Sequence, residues 1–391
     1  MFSRNPQQVR VSVISSKNTY NHKHISKETY MRKFRPLIAT LIAIGIIISS
    51  VAATTPVLRD DTVHGVMQCL GMYEQPKDSI DVLMLGSSHV HYGINTAKLW
   101  NDYGISAYDY SSAEQSMWVS YHYLLEACKN QKPKIVVLDF FSAAAFQENH
   151  KFKYHYLADS LNGMKFSANK LQLMEACFDG KKELWNKFYP AYFGYHDRYD
   201  TLTEKDFKDA NYDYTNFKGF TPYFEQSVTQ RVSITTDQQK APQEKTQVYL
   251  KKIIDYTKKN GIKLYITIVP YQLNVQQTMD AVQEEDKYYN WLAAYLGDLQ
   301  DEGYDNVFFD YTFGHLDSIG LDYEGGTDFY DESHLNYYGS CKFTDYLAAN
   351  LRNMYSEELT PDHRGDPYYS SWDVHVEEIK TQVSENGYEW R

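Results

Sequence analysis

Cysteine is scarce in this sequence, and no two cysteines are closely spaced. The chain has four among 391 residues, Cys69, Cys128, Cys177 and Cys341, without a CxxC pair. This spacing indicates neither a zinc site nor a disulfide framework. One or two disulfides remain compatible with a location outside the cell, but buried thiols are the favoured interpretation. Internal repeats and low-complexity tracts are also lacking, which argues against a repeat architecture.

Positive charge is scarce beyond the first 35 residues. Those residues carry eight lysines or arginines and a single acid, Glu28, for a net charge of +7, whereas the whole chain has −12 at pH 7. Residues 36–391 therefore carry −19. Such an acidic body argues against nucleic acid as a partner, because contacts to phosphates dominate that affinity. It also argues against simple electrostatic capture of an anionic polymer, whose recognition would need a local groove.

The sequence has one long run without charge, the 23 residues 36–58. Its length is close to the ~20 residues that a helix needs to cross a bilayer. Arg32, Lys33 and Arg35 stand directly before it, and the positive-inside rule keeps that end in the cytoplasm. We therefore expect a basic cytoplasmic arm (1–35), a single transmembrane helix (36–58) in the cell membrane and an extracytoplasmic remainder.

The alternative for this run is a cleaved signal peptide, since residues 50–53 are small enough for a cleavage site. The long basic segment before the run, and the length of the run itself, favour an anchor that is retained.

Beyond residue 59, short apolar strands alternate with helices. The predicted strands cover residues 81–85, 106–110, 134–140, 263–269 and 306–311, and the predicted helices cover 117–130, 243–260, 284–302 and 337–351. Gly261 and Gly303 follow two of these helices as stop signals. The alternation predicts an α/β fold, a three-layer sandwich with a central parallel sheet.

Two regions do not fit the alternation. Residues 141–241 are tyrosine-rich and polar, and we interpret them as an insertion over or beside the site, within a domain that spans 59–352. Residues 353–391, which include Trp372, are expected to form a C-terminal appendix on the surface. The chain has 36 tyrosines, whose flat amphipathic rings suit sugar faces and groove walls but equally fill cores.

A serine and an acid–base pair have the spacing of a catalytic site. Ser88 follows the apolar run 82–85, and Gly86 and Ser87 allow the tight turn that presents a hydroxyl at the carboxyl end of a strand. Catalytic groups of open α/β sheets lie at that edge. A serine nucleophile needs a nearby imidazole and a carboxylate that fixes its tautomer. Asp331 and His334 can supply both, from the loop or first turn before the helix at 337–351. They are equally suited to capping that helix.

The serine turn and the late pair resemble a known superfamily. Gly86-Ser87-Ser88 is similar to the first block of the SGNH hydrolases, the GDSL-like esterases and acyltransferases, and Asp331-x-x-His334 is similar to the last. The surrounding residues are most similar to the membrane-anchored acyltransferase branch, which includes the D-alanyl-transfer protein of teichoic acid synthesis and alginate acetylation proteins. The resemblance covers roughly residues 78–352. It implies an SGNH/flavodoxin-like fold with Ser88 as nucleophile, His334 as base and Asp331 as the partner of the base.

The second and third blocks of the superfamily have no counterpart here. After the second strand the chain lacks their glycine, and after Asp139, at the end of the third, it lacks the asparagine that joins the oxyanion hole. Losing one such donor typically costs about two to three orders of magnitude in rate. We therefore expect replacement donors, the backbone N–H of Ser88 and the side chain of Gln115. Asp139 itself is interpreted as a loop cap.

Four further polar residues are candidates for substrate binding: His91, Asn95, Asn336 and Arg198. The asparagines would alternatively shape turns. Arg198, with the nearby His196, would alternatively form local ion pairs in a solvated loop.

His89 and His91 also raise a metal interpretation, with Asp331 and His334 as the further ligands. Structural histidines are favoured, because no His-x-x-x-His spacing occurs in the sequence. No metal and no cofactor is predicted.

The serine, histidine and aspartate predict an extracytoplasmic acyl-handling enzyme. The resemblance implies that it transfers acetyl or D-alanyl groups, or hydrolyses such esters, on a cell-surface polysaccharide or wall polymer. The resemblance implies a membrane-bound O-acyltransferase as partner. The alternative from another class is a non-catalytic SGNH-like scaffold that binds polysaccharide or such an acyltransferase, because two blocks of the superfamily are missing.

Overall fold

The computed structural model describes residues 27–58, 64–146, 154–183, 185, 199–210, 212–228, 231–232, 236–274 and 284–391. The chain divides into two compact units, residues 1–54 and 55–391. Helix α1 spans Lys27–Leu58. Its segment Phe34–Leu58 has a mean hydropathy of 2.4, which makes α1 the one helix in the described ranges that is long and apolar enough to cross a membrane. A signal sequence near an N-terminus meets the same criterion.

A five-stranded parallel sheet forms the centre of the second unit. The strands of the chain are β1 (Val82–Leu85), β2 (Ala107–Asp109), β3 (Ile135–Asp139), β4 (Arg231–Val232), β5 (Lys263–Thr267), β6 (Leu273–Asn274) and β7 (Val307–Asp310). The main sheet has the order β2-β1-β3-β5-β7, and every neighbouring pair is parallel. β4 and β6 form a separate parallel pair.

The strand register brings the carboxyl ends of the central strands to one edge. Val82 of β1 lies opposite Ala107 of β2 and Ile135 of β3. Every residue of these three strands is buried, as expected for parallel strands that are covered on both faces. The turns after β1, β3 and β5 therefore meet at the same edge.

Helices precede, connect and follow the strands. The helices of the second unit are α2 (Val66–Glu74), α3 (Ser88–Gly93), α4 (Thr96–Tyr103), α5 (Met117–Ala127), α6 (Phe141–Ala145), α7 (Tyr154–Asn162), α8 (Ala168–Phe178), α9 (Glu204–Asp209), α10 (Glu244–Lys259), α11 (Glu284–Asp301), α12 (Leu316–Ile319), α13 (Tyr337–Met354) and α14 (Ser370–Glu385), with short 3₁₀ turns at Thr312–Gly314 and Pro367–Tyr369. In one group, α5 packs against α8 and α10. In another, α13 packs against α3 and α4, and α14 packs against α4.

The α/β fold with a parallel sheet is confirmed. The five predicted strands and the four predicted helices are all present, with ends that differ by at most three residues. In the region 141–241, where the sequence shows no alternation, the described ranges contain α6 to α9 and β4. All four cysteines are free thiols, and three of them are buried.

The C-terminal tail packs against the rest of the second unit through one buried face of α14. Trp372, Val376, Ile379 and Val383 on α14 are buried. Their spacing of three or four residues forms one apolar stripe on the helix. The Trp372 indole N–H donates to the backbone oxygen of Ala107 in β2. The tail therefore closes the core over the edge of the sheet.

Candidate active site

A glycine turn connects β1 to Ser88. Gly86 has a φ of 155°, and a Cβ placed there would lie 2.5 Å from a methyl group of Val90 and 2.6 Å from the Cβ of Asp139. Only glycine fits this close approach. Ser87 then caps α3 by accepting a hydrogen bond from the His89 N–H. Ser88 is the first residue of that helix, at the carboxyl edge of the sheet.

Asp139 ties the neighbouring strand ends together beneath this turn. Its carboxylate accepts hydrogen bonds from the Ser87 hydroxyl at 3.2 Å, the Phe141 N–H at 3.3 Å and the Val269 N–H at 3.2 Å. Burial raises the pKa of Asp139 to about 6, although these hydrogen bonds oppose the effect. Because the three donors follow β1, β3 and β5, the side chain caps the loops at the sheet edge, as the sequence indicates.

The loop before α13 holds Asp331 and His334 in a fixed arrangement. One Asp331 carboxylate oxygen accepts the backbone N–H groups of Ser333 at 2.7 Å and His334 at 2.8 Å. The same carboxylate lies 2.9 Å from Nδ1 of His334. The helix that follows is capped by Asn336, which accepts from the Gly339 N–H. Neither Asp331 nor His334 therefore serves as the cap.

Ser88, His334 and Asp331 form one hydrogen-bonded series. The Ser88 hydroxyl lies 2.8 Å from Nε2 of His334. Burial raises the pKa of Asp331, but the hydrogen bond and charge of His334, together with the two backbone N–H groups, outweigh it and hold the pKa below its usual value. An ionised carboxylate only accepts, so Nδ1 of His334 carries the proton and Nε2 is free to accept from Ser88. Side-chain exposures of 19% for His334 and 39% for Asp331 leave the pair within reach of solvent.

Aromatic rings surround the imidazole of His334. The rings of Tyr92 and His89 meet it edge-on, with centroids 5.1 and 5.3 Å away. Tyr223 stacks on Tyr92 at 3.8 Å and on Tyr330 at 3.7 Å. Tyr223 comes from the region 141–241, so part of that region lies beside the site. The three tyrosine rings form a stack that extends from beside His334 to the half-buried ring of Tyr330.

Sequence reasoning missed His64, Tyr92 and Tyr223. His64 accepts from, or donates to, the Tyr92 hydroxyl at 2.8 Å and stacks on His91 at 4.5 Å. These residues come from separate segments, and no local motif marks them. A sequence signal exists only for Tyr92, which follows Ser88 by four positions and so shares its face of α3.

His91 lies fully buried beside the site rather than in a substrate groove. Its Nδ1 lies 2.8 Å from the Ser111 hydroxyl. Burial, followed by repulsion from His64, His334 and His89, holds the pKa of His91 well below its usual value, so the ring is neutral.

The two candidate asparagines are engaged in local structure. Asn95 caps α4 by accepting from the Lys98 N–H. Asn336 caps α13 and also donates to the backbone oxygen of Thr327. Shaping local structure, the alternative considered for both, is thus the role seen here. Arg198 and His196 lie outside the described residues.

The two groups expected to act as oxyanion donors, the Ser88 backbone N–H and the Gln115 side chain, differ in their hydrogen bonding. Among the hydrogen bonds of the described residues, none uses the Ser88 backbone N–H. Gln115 is buried, donates to the Ser120 hydroxyl at 3.0 Å and accepts from Ser112. Ser112 in turn donates its N–H to Gly86 at 3.3 Å, which brings the loop after β2 to the serine turn. Gln115 therefore lies in the adjoining loop, and its side-chain amide is hydrogen-bonded to Ser120 and Ser112 instead of facing Ser88.

The histidines beside Ser88 do not converge on a common point. The His89 ring stacks on Phe141 at 3.7 Å, whereas His91 faces Ser111 and His64. Within the described part of the chain, no group of three or more His, Cys, Asp or Glu side chains is arranged to hold a metal ion.

No protein-family model matches this chain, and no curated protein is significantly similar to it. The function of the site therefore has to be inferred from its residues and their geometry.

Proposed function

We propose that this protein is a serine-dependent acyl-handling enzyme that transfers an acyl group or hydrolyses an ester. The observation that carries the proposal is the hydrogen-bonded series from Ser88 through His334 to Asp331. A nucleophile, a base and a carboxylate in this order are the parts that acyl transfer through a serine requires.

The proposed reaction begins when the Ser88 hydroxyl attacks an acyl carbonyl and Nε2 of His334 takes its proton. Asp331 stabilises the imidazolium that forms. The backbone N–H of Ser88 donates to the carbonyl oxygen as negative charge develops there. The imidazolium then returns the proton to the departing oxygen, which leaves an acyl-enzyme. In the second half, His334 takes a proton from water or from a polymer hydroxyl as that oxygen attacks the acyl group, and it then gives the proton to the departing Ser88 oxygen, which restores the hydroxyl.

The helix packing supports an SGNH-like three-layer arrangement. From β1 the chain passes to β2 on one side and then returns past β1 to β3 on the other. Right-handed crossovers in opposite directions place their helices on opposite faces of a sheet. The separate packing groups, α5 with α10 and α13 with α3 and α4, agree with two such layers.

We propose that α1 anchors the enzyme in the cell membrane with the catalytic unit outside the cell. The length and hydropathy of Phe34–Leu58, and the basic residues before it, support this orientation. The acceptor we propose is a cell-surface polysaccharide or wall polymer, with acetyl or D-alanyl as the acyl group and a membrane-bound O-acyltransferase as partner. The tyrosine stack supports a sugar acceptor, because Tyr330 offers a flat, half-buried ring near His334.

Turnover of an aryl acetate by the full chain in detergent tests the proposal. We expect Ser88→Ala and His334→Ala each to lower kcat by about three orders of magnitude or more. The exposed Ser384→Ala on α14 serves as control and is expected to retain activity. Polysaccharide binding with no Ser88-dependent turnover would instead support the non-catalytic scaffold.

A further inference from the structure

The segment that follows α1 contributes a side chain to the surroundings of His334. His64 precedes α2, and its Nε2 lies 2.8 Å from the hydroxyl of Tyr92. The His64 ring also meets the Tyr92 ring edge-on at 5.3 Å. Tyr92 is only 5% exposed, so its hydroxyl depends on a protein partner. His64 is one such partner, and Tyr223, which also forms a side-chain hydrogen bond with Tyr92, is another.

Tyr92 in turn fixes one side of the catalytic imidazole. Its ring meets His334 edge-on at 5.1 Å and is covered on a face by Tyr223 at 3.8 Å. The backbone oxygen of Tyr223 accepts the N–H of Tyr337, the first residue of α13. Movement of Tyr92 would therefore disturb the packing around His334 from two directions.

The ionisation of His64 suits the role of acceptor. Burial, followed by repulsion from His334, lowers the pKa of His64 to about 4. The His64 ring is therefore neutral at physiological pH. When the ring proton lies on Nδ1, Nε2 accepts a hydrogen bond from the Tyr92 hydroxyl. Nδ1 is buried and has no hydrogen-bond partner in the described ranges.

We propose that His64 is a positioning residue that holds Tyr92 against His334 and so links the Ser88 site to the segment following α1. This inference rests on the proposed function of that site. A misplacement of about 1 Å at a reacting group costs on the order of 10²-fold in rate, so a partial loosening of Tyr92 has a measurable effect.

His64 lies close to α1 along the chain. Five residues separate His64 from Leu58, the end of α1. Extended chain covers at most ~3.6 Å per residue, so the six steps from Leu58 keep His64 within about 22 Å of that end. In a membrane-anchored enzyme, the catalytic geometry would then depend on residues close to the anchor.

Four variants of the full chain test the inference: His64→Ala, His64→Gln, Tyr92→Phe, and His64→Ala combined with Tyr92→Phe. The measured quantities are the rate of labelling by a fluorophosphonate and the kcat and KM for an aryl acetate. We expect His64→Ala and Tyr92→Phe each to lower the labelling rate and kcat about tenfold with KM unchanged. The double variant should be no slower than Tyr92→Phe alone, because the loss of His64 acts through the Tyr92 hydroxyl. His64→Gln should recover most of the rate, since its amide oxygen also accepts from Tyr92.

His363→Ala is the matched control. His363 stacks on Tyr369 at 4.2 Å and lies 3.3 Å from Asp81, just before the start of β1 and so at the opposite end of that strand from Ser88. Its loss is expected to leave the labelling rate unchanged.

The outcomes separate this inference from the proposed function. Normal rates in His64→Ala and Tyr92→Phe, alongside Ser88-dependent labelling of the natural chain, would overturn the inference alone. Additive losses in the double variant would also contradict it. Absence of Ser88-dependent labelling in the natural chain would overturn the proposed function and the inference with it.

Discussion

At the scale of single residues, Asp331 has two functions in the site: it shapes its own loop and it binds His334. It accepts two backbone N–H groups that shape its own loop and also the Nδ1–H of His334. Because its pKa lies below the usual range, it stays ionised at the pH at which His334 must act as a base. One carboxylate thus fixes both the place and the tautomer of the imidazole.

Replacing Asp331 with asparagine separates its effect on the loop from its effect on the tautomer of His334. The amide oxygen of Asp331→Asn can still accept backbone N–H groups, but its NH₂ group would face Nδ1 and favour the wrong tautomer. We expect kcat for an aryl acetate to fall by about three to four orders of magnitude, with little change in KM.

Asp322→Asn is the control for this variant. Asp322 also shapes a loop, by accepting from the Gly325 N–H and the Thr327 hydroxyl, and neither of these hydrogen bonds involves His334. Its substitution is expected to change kcat less than twofold. An equal loss in both variants would show that loop shape, and not the tautomer of His334, limits the rate.

The sequence is enough to identify Ser88, His334 and Asp331, but it does not identify most of the residues that surround them. Ser88 stands at a strand-to-helix turn, and Asp331 and His334 are three positions apart, so short-range patterns are enough to find them. Tyr223 lies beside the His334 ring and His64 bonds to Tyr92, which also lies beside it; these residues are far apart in the chain, and only the fold brings them together. Asn95 and Asn336 show a second limit of the sequence. An asparagine can bind a substrate or cap a helix, and its residue type alone does not tell which of the two it does.

Among the elements, α14 has the least expected role. The predicted strands follow from runs of buried apolar residues, and the long helices follow from their length and glycine stops. In the sequence, the tail is not preceded or followed by a predicted strand, and it comes after a segment rich in turn residues. The alternation of strands and helices that predicts the sheet therefore does not extend to the tail. The stripe that begins at Trp372 is nevertheless a helical pattern, and it marks a buried face.

Trp372→Ala measures how much α14 contributes to the core. Trp372 is fully buried, its ring centroid lies 3.9 Å from Nζ of Lys218, and it packs beside Trp100. Removing a buried tryptophan typically costs about 3–5 kcal/mol, and we expect a loss of that size in the free energy of unfolding, measured by denaturant titration.

Val374→Ala, on the exposed face of the same helix, is the control. An exposed substitution is expected to change the free energy of unfolding by about 0.5 kcal/mol or less. Similar small losses in both variants would indicate that the tail packs only loosely and would contradict its place in the core.

The molecule as a whole combines an acidic net charge with basic groups that burial keeps neutral. Burial lowers the pKa of His375 to about 3, of His64 to about 4 and of Lys218 to about 6. In the unfolded chain these groups take up protons at their ordinary pKa values, so the unfolded state binds more protons between the two values. Each group therefore makes the folded state less stable as the pH falls. Asp139 acts in the opposite sense below about pH 6, because its pKa is raised.

His375→Gln isolates one of these contributions. His375 is fully buried and lies 2.9 Å from the Thr96 hydroxyl, a hydrogen bond that glutamine can replace. As the pH falls from 6.5 to 4, the natural chain should lose up to about 3 kcal/mol more stability than the variant, since each unit of pKa difference is worth about 1.4 kcal/mol. Denaturant titrations of both chains over this pH range measure the difference. Parallel pH profiles would contradict a neutral, buried His375.

The central claim, that Ser88 is a nucleophile activated by His334, is tested most directly by mass-spectrometric mapping of a fluorophosphonate adduct on the full chain. In this reaction the Ser88 oxygen bonds to phosphorus, fluoride leaves, and His334 takes the hydroxyl proton. We predict one adduct, on Ser88, that is absent from Ser88→Ala and forms at least about a hundredfold more slowly in His334→Ala. An unlabelled natural chain, or equal labelling of Ser88 in His334→Ala, would contradict the account.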